Sequence, residues 1–222
     1  KSKKGTLLAF VEARYIADDH GKNDIVLKRS EDNGKTWGKL IKIHMDKSLV
    51  MVNPSPVVLE SGRILLMYET FPVGYHARHG RHHEMMPGGF GKNTQKLLLR
   101  SSDDDGKTWS EAVELQKVAR ADKRMVQAGS PANGIQLKKG KHKGRIVFPM
   151  FLTQRIDAKE RTWVNAVLYS DDKGSTWKIS KYVPVEKTEP GNECLIAETD
   201  DGHIVMNARS QRSQHRLIST SK

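Results

Sequence analysis

Four charged residues stand out by type and by the company they keep: Arg14 in FVEAR, Asp19 in the loop ADDHGKND, Glu193 in GNECLIAE and Arg209 in VMNARS. An arginine pair suits a carboxylate or phosphate ligand, because each guanidinium offers planar, bidentate donors. An Asp and a Glu on one surface suit the acid/base pair of a glycosidase. Each also has a plainer reading. A chain with 38 basic and 26 acidic residues forms many surface ion pairs of little consequence, and a lone Asp in a polar, glycine-containing loop fits a solvated turn. Glu193 precedes the apolar CLIA, so it begins a strand and, if half-buried, needs a partner. What lifts the four above that background is where the surrounding repeats put them.

A further cluster, His76, His79, His82 and His83, lies in the segment YHARHGRHHEMMPGGFGKN. Its spacing matches no zinc pattern, and its Gly and Pro suit a loop over a site better than a metal centre, so no metal is expected. Met85 and Met86 suit either an apolar wall for a ligand or packing of the loop onto the strands below.

The elements that position these residues are strands. Helical periodicity is nearly absent, and short apolar runs recur between Gly, Asn and Asp clusters. Two features repeat. One is a Gly and a spacer followed by an apolar run, at Gly5, Gly62, Gly144 and Gly202. The other is Ser-x-Asp-x-Gly-x-Thr-Trp, at Ser30–Trp37, Ser102–Trp109 and Ser170–Trp177. The second is a turn: Gly supplies the positive φ, Ser and Asp oxygens take orphan backbone N–H groups, and Trp enters the next strand to pack between repeats. This is the Asp box, a mark of fold and not of activity. Each unit holds about four antiparallel strands, and such units repeated radially are propeller blades. The expected fold is therefore all-β, a propeller with about four blades in residues 1–222, read as a single partial domain.

Strand parity then divides the molecule. In a four-strand meander the turn after the first strand and the turn before the last fall on one rim, which takes the repeated Gly and the Asp box. The end of the second strand and the following loop fall on the other. Arg14, Asp19, Glu193 and Arg209 all belong to that second rim, as do the insertion from Phe71 to Asn93 and the strand-opening Asn53 and Asn133.

Composition narrows the classes. The hydrophobic fraction of 36% suits a folded domain rather than a long disordered chain. No apolar run is long enough to span a membrane, and the single Cys194 forms no internal disulfide. The formal charge of +12 fits either non-specific affinity for nucleic acid or an anionic surface, or a solvated surface with Lys-rich loops such as residues 138–143, and the second reading is favoured. No basic stripe interleaved with aromatics accompanies it, so specific nucleic-acid binding is not expected. Neither end of the sequence reads as a natural terminus, and the chain is expected to be a piece of a longer protein.

The segment GTLLAFVEARYIADDHGKNDIVLKRSEDNGKTW resembles the first blade of exo-α-sialidases (neuraminidases), and GNECLIAETDDGHIVMNARS resembles their central Glu-and-Arg segment. SPANGIQL with GRIVFPMF resembles the stretch between, so the similarity runs over essentially all of the chain in family order. The resemblance implies a six-bladed propeller that removes terminal sialic acid from sialylated glycans with retention, without a cofactor, and suggests a secreted or periplasmic setting. It implies Asp19 as the acid/base, Arg14 as a contact to the ring substituents, Glu193 as the group polarising a tyrosine nucleophile, and Arg209 as one of three arginines on the sugar carboxylate. A neutral tyrosine suits an anomeric carbon that already bears a carboxylate, where an anionic nucleophile would be repelled. The same resemblance puts the first arginine before residue 1, and the third arginine and the tyrosine after residue 222. Tyr15, Tyr68, Tyr75, Tyr169 and Tyr182 lack the nucleophile's context, so the 222-residue chain alone is expected to be inactive. Competing readings are a non-catalytic propeller binding acidic glycans, a glycosidase for a related nonulosonic acid, and a basic propeller binding nucleic acid.

Overall fold

The structure, a computed structural model, describes residues 1–76, 82, 84–120, 125–155, 161–184 and 189–221. Four antiparallel sheets follow one another along the chain. The first is β1 (Leu7–Arg14), β2 (Asn23–Ser30) and β3 (Ile41–His44), in that spatial order. The second orders β4 (Leu49–Val58) and β5 (Ile64–Pro72) beside two later strands. Between them lies a small parallel pair, β6 (Tyr75–His76) and β7 (Glu84–Met85), before β8 (Lys96–Ser102) and β9 (Val113–Glu114) complete the sheet. A single helical turn, α1 (Gln116–Ala119), leads to the third sheet, whose first strand is split into β10 (Met125–Gly129) and β11 (Ile135–Gln136). Both halves pair with β12 (Ile146–Arg155), which is followed by β13 (Arg161–Ser170) and β14 (Lys178–Ile179). The fourth sheet is β15 (Gly191–Glu198), β16 (Ile204–Ser210) and β17 (Arg216–Thr220). The all-β expectation, its meander order and the four units are met.

Apolar residues join each sheet to the next, which is what a propeller requires, since a single four-stranded sheet cannot bury its own faces. Ile25 and Leu27 of the first sheet pack with Leu66, Tyr68 and Leu98 of the second. Val57, Leu65 and Leu97 of the second pack with Ile146, Phe148 and Leu168 of the third. Leu137 and Val147 of the third pack with Cys194, Ile196 and Met206 of the fourth. Trp109 stands edge-on to Phe10 of the neighbouring sheet, with centroids 5.7 Å apart, and Trp177 belongs to the core between the second and third sheets. Trp37 is the exception and is exposed.

The three Asp boxes share one hydrogen-bond pattern. In the second, Ser102 Oγ donates to Asp104 Oδ1 at 2.8 Å and accepts from Gly106 N at 2.9 Å. Asp104 then accepts from the Thr108 backbone N–H at 2.9 Å and from its hydroxyl at 2.6 Å. Gly34, Gly106 and Gly174 take φ of 91°, 82° and 92°, and the residues before them, Asn33, Asp105 and Lys173, are also left-handed. The bonds hold the carboxyls of Asp32, Asp104 and Asp172 down at about 2, led at Asp32 and Asp172 by the threonine hydroxyl. At Asp104 partial burial is the largest influence and pulls upward, but the hydrogen bonds together outweigh it. Ser102 and the Gly106 N–H are buried, so Ser102→Ala leaves a donor without a partner. We expect a loss of about 1–3 kcal/mol of stability, read from the urea midpoint; an unchanged midpoint would show that the turn holds without its serine.

The registers place the rims as parity demands. In the first sheet Leu7, just after Gly5, lies opposite Ser30 of the Asp box, while Arg14 lies opposite Asn23 at the far end. Ile64 lies opposite Ser102, and Ile146 opposite Ser170. Arg209 sits at the other end of its sheet, opposite Arg216, and Gly191 opposite Ser210.

Candidate active site

On the rim away from the Asp boxes a cavity of about 330 Å³ opens, and Arg14, Asp19, Glu193 and Arg209 all line it. They arrive from the first and fourth sheets. Phe71, Phe151 and Trp163 give it an aromatic component, which suits the apolar face of a sugar ring. Asn53, Gln127, Thr153, Asn192 and Gln211 add neutral polar groups.

Arg14 ends β1. Its Nη1 donates to Asp19 Oδ1 at 2.7 Å, while Nε and Nη2 both donate to Glu12 Oε2, at 3.0 and 2.7 Å. These partners, Asp19 first and Glu12 second, raise its pKa above the ordinary arginine value. Arg14 thus stays charged while its plane is fixed from two sides. The loop between β1 and β2 is closed by Tyr15 N to Lys22 O at 3.2 Å and Gly21 N to Asp18 O at 3.3 Å. That short closure brings Asp19 back over the end of its own strand, with its side chain half exposed.

Glu193 lies in β15 beside a bulge between Gly191 and Cys194. Asn192 Oδ1 accepts its backbone N–H at 2.6 Å, and its carboxylate meets Arg209 Nη1 at 3.3 Å. The strand is tied to the third sheet next door. Ser130 Oγ donates to Cys194 O at 2.8 Å, and Asn165 Nδ2 donates to Asn192 O at 2.7 Å. A Cβ on Gly191 would lie 1.9 Å from Asn165 Oδ1, so any larger residue there would displace the Asn165 amide. Cys194 itself is buried, with its thiol pushed up to about 11 chiefly by that burial, so it serves packing and not nucleophilic chemistry.

Several groups at the site escaped the reading of the sequence; Glu12 is one, holding Arg14 without itself lining the cavity. Glu12 was legible in principle, since residues 12 and 14 share a strand face. Phe151, Trp163 and Gln127 come from strands whose apolar patterning says core and gives no sign of a mouth. Asn53 does not open its strand: it sits inside β4 at a register shift between Val52 and Ser55, with φ of 57°. Asn133 is not at this site and lines a separate cavity with Leu8 and Phe10.

Of the insertion, β6 lies at the cavity edge, where His76 stands edge-on to Phe71 with centroids 6.3 Å apart. Met86 is buried with Val50, Phe71 and Val126, so it packs the loop down and does not wall the cavity. His79 and His83 lie outside the described residues. Among the described residues no cluster of metal-ligating side chains occurs, and no tyrosine lines the cavity. No helix among them is long and apolar enough to cross a membrane.

Comparison with known proteins adds a second line of observation. The profile of the BNR repeat-like domain matches residues 2–222. The chain is 30% identical to a sialidase of Paraclostridium sordellii, over 96% of this chain and 51% of that protein. It is 29% identical to a sialidase of Bacteroides fragilis, over all of this chain and 40% of that protein. In structure it resembles the Hadza microbial sialidase Hz136, with a TM-score of 0.81 and 25% identity over all of this chain and 43% of that one. A leech intramolecular trans-sialidase complexed with 2,7-anhydro-Neu5Ac superimposes with a TM-score of 0.79 at 17% identity, covering 99% of this chain and 48% of that one, a likeness of fold. The chain spans about half the length of the sialidases it matches in sequence.

Proposed function

This chain belongs to the BNR repeat-like domain family, and from that premise we propose that the protein carrying it is an exo-sialidase-like glycoside hydrolase that releases terminal sialic acid. The observation that carries the reading is the meeting of two arginines and two carboxylates from sheets far apart in sequence, in one cavity opposite the Asp boxes. In this reading Arg209 binds the sugar carboxylate through charge-assisted hydrogen bonds, and Arg14 contacts the ring substituents. Asp19 lies at the open side and exchanges a proton with the leaving oxygen. Glu193 polarises a tyrosine hydroxyl, which attacks the anomeric carbon and gives retention. The reading needs that tyrosine and two further arginines from outside residues 1–222. The net charge of +12 favours encounter with acidic glycans.

The test is release of a fluorogenic sialoside's aglycone by the protein that carries this chain. Turnover supports the proposal. Binding of sialylated glycan with no turnover would replace it with a glycan-binding module. Arg209→Ala is expected to weaken binding of sialic acid about tenfold to hundredfold, as loss of a charged hydrogen-bond donor implies. Calorimetric titration measures this, and unaltered affinity would remove Arg209 from the carboxylate contact.

A further inference from the structure

Beneath the cavity lies a carboxyl group that the proposed chemistry does not use. Glu69 is fully buried in β5, within the largely apolar run ILLMYETFP. Its Oε1 accepts from Asn53 Nδ2 at 2.9 Å. Its Oε2 accepts from Gln127 Nε2 at 3.1 Å and also from Gln95 Nε2. Gln95 is itself pinned, since its Oε1 accepts from Ala128 N at 2.9 Å. The backbone of β10 closes over the group so tightly that a Cβ on Gly129 would stand 1.7 Å from Oε1.

Asn53 and Gln127 line the cavity, while Glu69 and Gln95 do not. An ionised carboxylate only accepts hydrogen bonds. Each of the two lining amides must therefore turn its NH₂ inward, which leaves its carbonyl oxygen as the group available to a ligand. Among the described residues neither Asn53 Oδ1 nor Gln127 Oε1 has a protein donor. Asn53 is held further by its backbone N–H, which donates to Glu12 Oε1 at 2.7 Å; the other oxygen of Glu12 grips Arg14.

We propose that Glu69 is a positioning residue for this cavity: it orients the amides of Asn53 and Gln127 so that two carbonyl acceptors face the ligand and select sugars with hydroxyl or N–H donors at that end. The choice of probe rests on the function proposed above; the orientation of the amides does not. The charged groups set against Glu69 among the described residues are Glu12, reached through Asn53, and Arg120, whose Nη2 donates to Gln95 O at 2.5 Å. Burial raises the Glu69 carboxyl to about 7, with Glu12 adding to the rise and the three amides opposing it. Once protonated it must itself donate, and one amide has to turn over to receive that proton.

Two measurements test this. In the protein labelled with ¹⁵N on Asn and Gln side chains, the amide resonances of Asn53 and Gln127 are expected to move together between pH 5 and 9 with a shared midpoint, and to lose that response in Glu69→Gln. In the unsubstituted protein, side-chain NH₂ protons of Asn53 and Gln127 that exchange with water as fast as those of exposed amides would overturn the proposal, since amides bonded to the buried Glu69 are protected, and this arm stands even if the variant does not fold. Calorimetric titration with N-acetylneuraminic acid and its monodeoxy analogues then reads selection. Removal of a donor hydroxyl that meets these oxygens is expected to weaken binding about threefold to tenfold, and Glu69→Gln is expected to erase most of that penalty. An equal penalty in both proteins would reduce Glu69 to a folding role. Titrating amides in a protein that binds no sialic acid would defeat the proposed function and leave the orientation by Glu69 standing.

Discussion

In the protein that carries this chain, and on the function proposed for it, Asp19→Asn is expected to slow hydrolysis of natural sialosides about 10²–10⁴-fold and to leave aryl sialosides with good leaving groups far less affected. A sugar hydroxyl leaves poorly as an alkoxide, so its departure depends on a proton delivered as the bond breaks. An activated phenol leaves without one. Asparagine keeps an oxygen that can accept from Arg14 Nη1, the contact now 2.7 Å long, so the variant changes proton supply more than loop position. The comparison is the ratio of kcat/KM between the two substrate types before and after substitution. Should both fall by one factor, Asp19 would be a binding or structural group, and its ion pair with Arg14 would be the reason it matters.

How much of this could be read from residues alone follows from the range of each interaction. The Asp box closes on itself within seven residues, with the bonds common to all three copies supplied by Ser, Asp, Gly and Thr, so composition and spacing state its geometry. The rim that holds Arg14 and Arg209 was legible because antiparallel parity is a counting argument once the turns are known. Glu69 was not legible, since its three amide partners come from separate elements, at residues 53, 95 and 127. A Glu inside an apolar strand signals only that something must satisfy it. Asn53 misled for a related reason: its left-handed backbone puts a bulge where a simple strand start was expected, and that bulge turns both its N–H and its side chain to carboxylates.

Glu69 also has a thermodynamic signature that can be worked out in sign. Its carboxyl rises from 4.5 to about 7 on folding, mainly through burial. Between those values the native state keeps a proton that the unfolded state releases. Stability therefore falls as pH rises through that window and is lowest, as far as this group is concerned, above pH 7. The difference in pKa corresponds to about 3 kcal/mol. Glutamine mimics the protonated acid and does not titrate. Glu69→Gln is expected to match the unsubstituted protein near pH 4 and to exceed its stability by up to about 3 kcal/mol at pH 8, read from urea midpoints across that range. Parallel profiles would mean that Glu69 ionises as freely in the fold as in water. A divergence would show an ionisable group retained where a neutral one is more stable, and loss of ligand discrimination in that same variant would give the reason: an acid that costs stability near neutral pH keeps two amides facing the right way.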